Sequence, residues 1–100
     1  MQPQGHIQVL LNIVDFGMDV QTALDAPRFR YIGGNKCAFE PTISSHILQE
    51  LADKGHNVIK LDDPYSQEFG GGQAILVHPS TNVLIAGSDP RKDGCAIGIW

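Results

Sequence analysis

Ile7-Gln8-Val9-Leu10-Leu11-Asn12-Ile13-Val14-Asp15-Phe16 is the stretch on which the reading of this chain turns. Ile7, Leu10, Leu11 and Val14 recur at the i, i+3, i+4, i+7 spacing of one helix face. Val9, Ile13 and Phe16 add apolar groups on the flanks, and only Gln8, Asn12 and Asp15 form a polar stripe. A helix this apolar is expected to be buried over most of its circumference, sandwiched within a larger body. Gly17 then serves as a C-cap, because glycine accepts positive φ without a Cβ penalty.

Outward from that helix, Asp19 predicts the N-cap of a short helix from Val20 to Asp25. Pro27 ends it by disfavouring the α region at Ala26. Gly33-Gly34-Asn35 is turn chemistry, and Lys36 to Glu40 reads as a short strand. Ser44 or Ser45 caps a helix from His46 to Lys54, with Ile47, Leu48 and Leu51 on its buried side and Gly55 as its stop. Lys54 suits the negative end of that helix dipole. Val58, Ile59 and Leu61 predict a strand, and residues 62 to 72 a loop. Ala74 to Val77 and Val83 to Ala86 read as a hairpin around Pro79-Ser80-Thr81-Asn82. A last strand is expected from Cys95 to Trp100. No linker interrupts the pattern, so residues 1–100 are expected to form a single domain. The class is α+β, with helices packed on a mostly antiparallel sheet.

Composition narrows the function. At 100 residues, 42% apolar and 18% charged, the chain is globular rather than disordered. Its net charge of −4, with seven scattered Lys and Arg, argues against nucleic acid and anionic membranes as partners. The longest apolar run falls well short of the roughly 20 residues of a membrane span. No basic n-region or apolar h-region follows Met1, so no signal peptide is read here and a cytoplasmic location is favoured.

Most local motifs reduce to structure. Gly70-Gly71-Gly72 lacks the Lys-Ser/Thr pair and helix of a phosphate loop, so a flexible turn is expected. His6, His46, His56 and His78 lack metal-ligand spacing, and no metal site is expected. Cys37 and Cys95 have no CxxC spacing, and free half-buried thiols are the default. None of the five serines sits in a Gly-x-Ser-x-Gly elbow. Arg28 and Arg91 carry the sharper signal. Each follows a proline and has an aspartate close by, in Asp25-Ala26-Pro27-Arg28 and Asp89-Pro90-Arg91. Two roles are open to them: a structural ion pair holding a loop to the body, or recognition of a substrate carboxylate. A structural Arg91 predicts that Arg91→Ala costs about 1–3 kcal/mol, the range for hydrogen bonds to charged groups.

Taken in order, these residues resemble one family. Gln8-Val9-Leu10-Leu11-Asn12, Asp15-Phe16-Gly17-Met18 and Ala23-Leu24-Asp25-Ala26-Pro27-Arg28-Phe29 follow one another as in γ-glutamyltransferases. Glu40, Leu48, Leu51, Gly55-His56, Gly71-Gly72-Gln73-Ala74-Ile75 and Gly87-Ser88-Asp89-Pro90-Arg91-Lys92-Asp93-Gly94 continue the match along essentially the whole chain. Met1-Gln2-Pro3-Gln4-Gly5-His6 is similar to a bacterial and archaeal branch that also carries the cephalosporin-acylase description.

The resemblance implies part of an αββα N-terminal-nucleophile hydrolase sandwich. It implies a threonine nucleophile freed by self-cleavage, its α-amino group acting as general base, and γ-glutamyl transfer from glutathione-type donors to water, amino acids or peptides. No metal or organic cofactor is implied. It matches only the last part of the small subunit. The nucleophile and the glycine pair of the oxyanion hole lie upstream in the family, so no catalytic residue is assigned here and inactivity alone is expected. Thr22, Thr42 and Thr81 are internal. Gly5 and His6, at the expected start of the first helix, would support the oxyanion hole through unpaired amides and the helix dipole. The expected partner is the missing N-terminal portion, or a second copy through unpaired strand edges. The alternatives are a free-standing, non-catalytic association domain, or part of a related cephalosporin-acylase-like amidohydrolase.

Overall fold

Asp19 starts the second helix as its chemistry demands, its side chain accepting the Thr22 N–H at 2.7 Å. In the computed structural model, which describes residues 2–61 and 69–99, the order is α1 (Gln2–Val14), α2 (Val20–Asp25), β1 (Phe29–Gly33), β2 (Lys36–Phe39), α3 (Ser45–Asp53), β3 (Asn57–Lys60), β4 (Gln73–Val77) and β5 (Leu84–Ser88). Helix α1 ends as expected, with Gly17 at φ +66°. Ser44 occupies the N-cap of α3 without a side-chain cap bond. Gly55, at φ +101°, lets the chain turn into β3.

The strands form two sheets, ordered β1-β2-β3 and β4-β5. The hairpins β1–β2 and β4–β5 are antiparallel, whereas β2 and β3 run parallel with α3 as the connection between them. The class is therefore α+β, with two of the three strand pairings among the described residues antiparallel. Strand β1 was not expected. Phe29-Arg30-Tyr31-Ile32 follows a proline and carries a charge mid-strand, yet it pairs with β2 across the Gly33-Gly34 turn. The strand expected from Cys95 to Trp100 is not formed. Residues 94–99 are irregular, Ile97 and Ile99 are 76% and 94% exposed, and Trp100 lies outside the described residues. An apolar run supplies strand propensity but no hydrogen-bonding neighbour. Most of the loop expected over residues 62 to 72 likewise lies outside the described residues.

The core gathers Val20, Ala23 and Leu24 of α2, Ala38 and Phe39 of β2, Leu48 of α3, and Phe69. Each large side chain buried there contributes about 1.5–3 kcal/mol. Leu51 is half-buried as its position on α3 suggests, but Ile47 is 48% exposed. Two glycines let backbones close on α2. A Cβ on Gly87 would meet Val20 Cγ1 at 2.9 Å, and one on Gly72 would meet Leu24 Cδ2 at 2.5 Å.

Helix α1 sits inside out. None of its residues is buried. Its half-buried side is Gln4, Gly5, Gln8, Val9, Asn12 and Ile13. The stripe expected to be internal faces outward, with Ile7, Leu10 and Val14 at 58%, 59% and 68% exposure. Periodicity located the stripe; it could not say what covers it. Among the described residues, no helix is long and apolar enough to cross a membrane.

Candidate functional site

The centre of the molecule is a closed knot of four charges. Pro27 ends α2 and delivers Arg28 inward, Glu40 follows β2, and Pro90 turns Asp89 and Arg91 back from the end of β5. All four charged residues are buried. Arg28 Nη2 lies 2.6 Å from Asp89 Oδ2, with side chains 4% and 0% exposed. Arg91 spends all five of its N–H donors within the chain. Nε donates to Glu40 Oε2 at 2.6 Å, and Nη1 to Asp89 Oδ1 at 2.9 Å and to the Leu24 carbonyl at 2.7 Å. Nη2 donates to Glu40 Oε1 and to the Ala26 carbonyl. Arg28 Nη1 and Nη2 donate to the carbonyls of Phe69 and Leu24, each at 3.1 Å.

The carboxylates are as fully used. Asp89 accepts the Gly72 N–H at 2.8 Å and the Arg91 N–H at 2.9 Å besides the two guanidinium contacts. Glu40 Oε1 also accepts the Arg28 N–H at 2.7 Å. Burial pushes the Asp89 carboxyl up. The amides of Arg91 and Gly72, the Arg91 guanidinium and the Arg28 charge outweigh it and hold the carboxyl below its ordinary value. Burial by itself would lower Arg91. Its hydrogen bonds and charge contacts with Glu40 and Asp89 raise it instead. The two positive and two negative charges balance, which is how ionised groups survive away from water.

Beside the knot lies a cavity of about 220 Å³. Gly5, His6 and Val9 of α1 form one wall, and Arg28, Phe69 and Gly72 the other. The expectation for Gly5 and His6 needs a correction. The helix begins at Gln2, so these residues fall where its first turn passes into the second, not at its start. Pro3, which lacks an N–H and fits a first turn, allows the earlier start. The Arg28 Nε is buried without a partner among the described residues.

The remaining sequence candidates stand apart. His78 Nδ1 accepts the Ser80 and Thr81 N–H groups in the β4–β5 turn, and His46 lies 3.2 Å from Glu50 on the exposed side of α3. Among the described residues no three His, Cys, Asp or Glu come together as a metal would require. Cys37 is half-buried and Cys95 is exposed, correcting the expectation for the latter; both are free. Thr22 and Thr81 sit exposed on α2 and in a turn, and Thr42 is exposed before α3. Glu40, the counter-charge of Arg91, is not apparent from the sequence pattern around the arginines. Its one local signal is an acid closing the apolar run Cys37-Ala38-Phe39.

This fold occurs in enzymes of known structure. It is similar to cephalosporin acylase from Bacillus halodurans, with a TM-score of 0.88 and 44% identity over 93% of this chain and 17% of that one. It is also similar to the transpeptidase CapD of Bacillus anthracis, with a TM-score of 0.79 and 29% identity over 97% of this chain and 57% of that one. The class is the N-terminal-nucleophile hydrolase fold. A glutathione hydrolase-like proenzyme, YwrD of Bacillus subtilis (strain 168), is 33% identical over 98% of the chain. The gamma-glutamyltranspeptidase family model matches residues 1–99, and the chain belongs to that family. It spans about a fifth (19%) of the length of the YwrD proenzyme.

Proposed function

We propose that this chain is the C-terminal portion of an enzyme transferring γ-glutamyl groups from glutathione-type donors, with the nucleophile on the portion it lacks. The observation that carries the proposal is α1. It belongs to a chain that matches the family model over residues 1–99, and it turns Ile7, Leu10 and Val14 outward. An apolar stripe of this size is a surface made to be covered, and the remainder of the enzyme covers it.

In that setting the charge knot is structural. Arg91 has no donor left for a substrate carboxylate, and Asp89 ties the Gly72 amide to the same frame. The first turn of α1 stands beside the reacting centre, where unpaired amides favour developing negative charge. Purified residues 1–100 should show no turnover of a chromogenic γ-glutamyl anilide. Turnover that survives rigorous purification overturns this reading. The likeness to cephalosporin acylase favours a second donor class, so the complete enzyme should be assayed on a cephalosporin amide beside the anilide.

A further inference from the structure

The polar stripe of α1 does work that its apolar stripe does not. Gln4, Gln8 and Asn12 recur every fourth residue along the half-buried side of the helix. Gln8 closes a two-bond ring on one residue of β1, its Nε2 donating to the Phe29 carbonyl at 2.8 Å and its Oε1 accepting the Phe29 N–H at 3.1 Å. Gln4 repeats the arrangement on Tyr31, at 3.2 Å and 2.6 Å. Asn12 Nδ2 donates to the Ala23 carbonyl of α2 at 3.4 Å.

The spacing explains the match. Four residues of helix rise about 6 Å, and two residues of strand advance about 7 Å. Successive glutamines on α1 therefore meet alternate residues of β1. In an antiparallel ladder alternate residues direct both backbone groups away from the partner strand. The two side-chain amides stand in for the next strand and seal an edge that would otherwise be open to pairing. No residue of α1 is fully buried, and these bonds register the helix against the three-stranded sheet. The same helix supplies Gln2, Gly5 and His6 to the cavity beside Arg28 and Gly72.

We propose that Gln4 and Gln8 are positioning residues, which lock α1 to the β1 edge and so fix how its first turn presents to the reacting acyl group. The inference rests on the γ-glutamyl-transfer reading. The test uses the complete enzyme carrying this segment. Gln8→Met keeps the side-chain length and loses both bonds, whereas Gln8→Glu keeps the acceptor for the Phe29 N–H and loses the donor. Water can replace the lost partner at this exposed edge, so the variants should fold. Gln8→Met should speed amide exchange over residues 29–31 and lower kcat about ten- to a hundredfold, the scale of a misplaced catalytic element. KM should stay within about twofold, the signature of an interaction felt only in the transition state. Gln8→Glu should recover part of both effects. Gln49→Met, which loses only the exposed bond to Asp53 on α3, should change neither. Faster exchange with unchanged kcat overturns the positioning role, and unchanged exchange overturns the clamp itself. A wild-type enzyme inert toward γ-glutamyl donors overturns the functional reading and the positioning role together, while exchange at residues 29–31 still reports on the clamp.

Discussion

Arg28 and Asp89 meet at 2.6 Å in the interior, one delivered by the end of α2 and the other by the end of β5. The contact fastens the two-stranded sheet to the helix that fills the core. Arg91 extends it to Glu40 and thereby to the three-stranded sheet. Buried ion pairs are an uncertain source of net stability, because desolvation offsets much of the attraction. Their dependence on one another is what makes them informative: no single member can leave without stranding a charge.

Arg91→Ala strands Glu40 and part of Asp89. Removing one partner of a buried pair costs about 3–5 kcal/mol, above the 1–3 kcal/mol expected for a single charged hydrogen bond. Urea unfolding of the purified chain checks this. A midpoint that does not move would show that the knot carries no structural load.

Acid should act through Asp89. Its carboxyl is held below the ordinary value, so its contribution is fully present above that value and is lost as pH falls through the lowered one. Stability should therefore decline below about pH 4, and Asp89→Asn should flatten that limb while lowering stability at neutral pH. Unfolding curves at stepped pH decide it; parallel acid limbs for the two proteins would contradict it.

Gly72→Ala tests the close approach of loop and helix. Its new Cβ would lie 2.5 Å from Cδ2 of Leu24, which is only 1% exposed. Overpacking of this kind costs about 1–3 kcal/mol. Gly34→Ala meets nothing within 4 Å, but φ +58° makes it strained, so it is a conformational control rather than a neutral one. A melting temperature for Gly72→Ala equal to that of the parent would contradict the packing.

Leu10→Lys separates folding from assembly. Leu10 is 59% exposed, and surface substitutions usually stay within about 0.5 kcal/mol. Its melting temperature should hold while binding to the remaining portion of the enzyme weakens, as read by co-purification. Equal recovery of variant and parent would remove α1 from the interface.

Legibility in the sequence followed the range of the interactions. Asp19, Gly17 and Gly55 act within a few residues, and the elements they bound stand where their chemistry places them. Arg28 and Arg91 drew attention for local reasons too, each with a proline before it and an aspartate near. Their shared counter-charge Glu40 comes from another element, and no spacing rule connects them. The glutamine pairs on Phe29 and Tyr31 were hidden for the same cause, since β1 itself lacks a clean strand pattern. Cys95 to Ile99 shows the converse: an apolar run that no neighbouring strand completes among the described residues.

The central claim is that this chain and a nucleophile-bearing polypeptide form one enzyme. Residues 1–100 should be mixed with the separately produced remainder and assayed on a γ-glutamyl anilide. Neither alone should turn it over, and mixing should give saturable turnover that Leu10→Lys weakens. Turnover by residues 1–100 alone, or a remainder whose activity is indifferent to their addition, would contradict that claim.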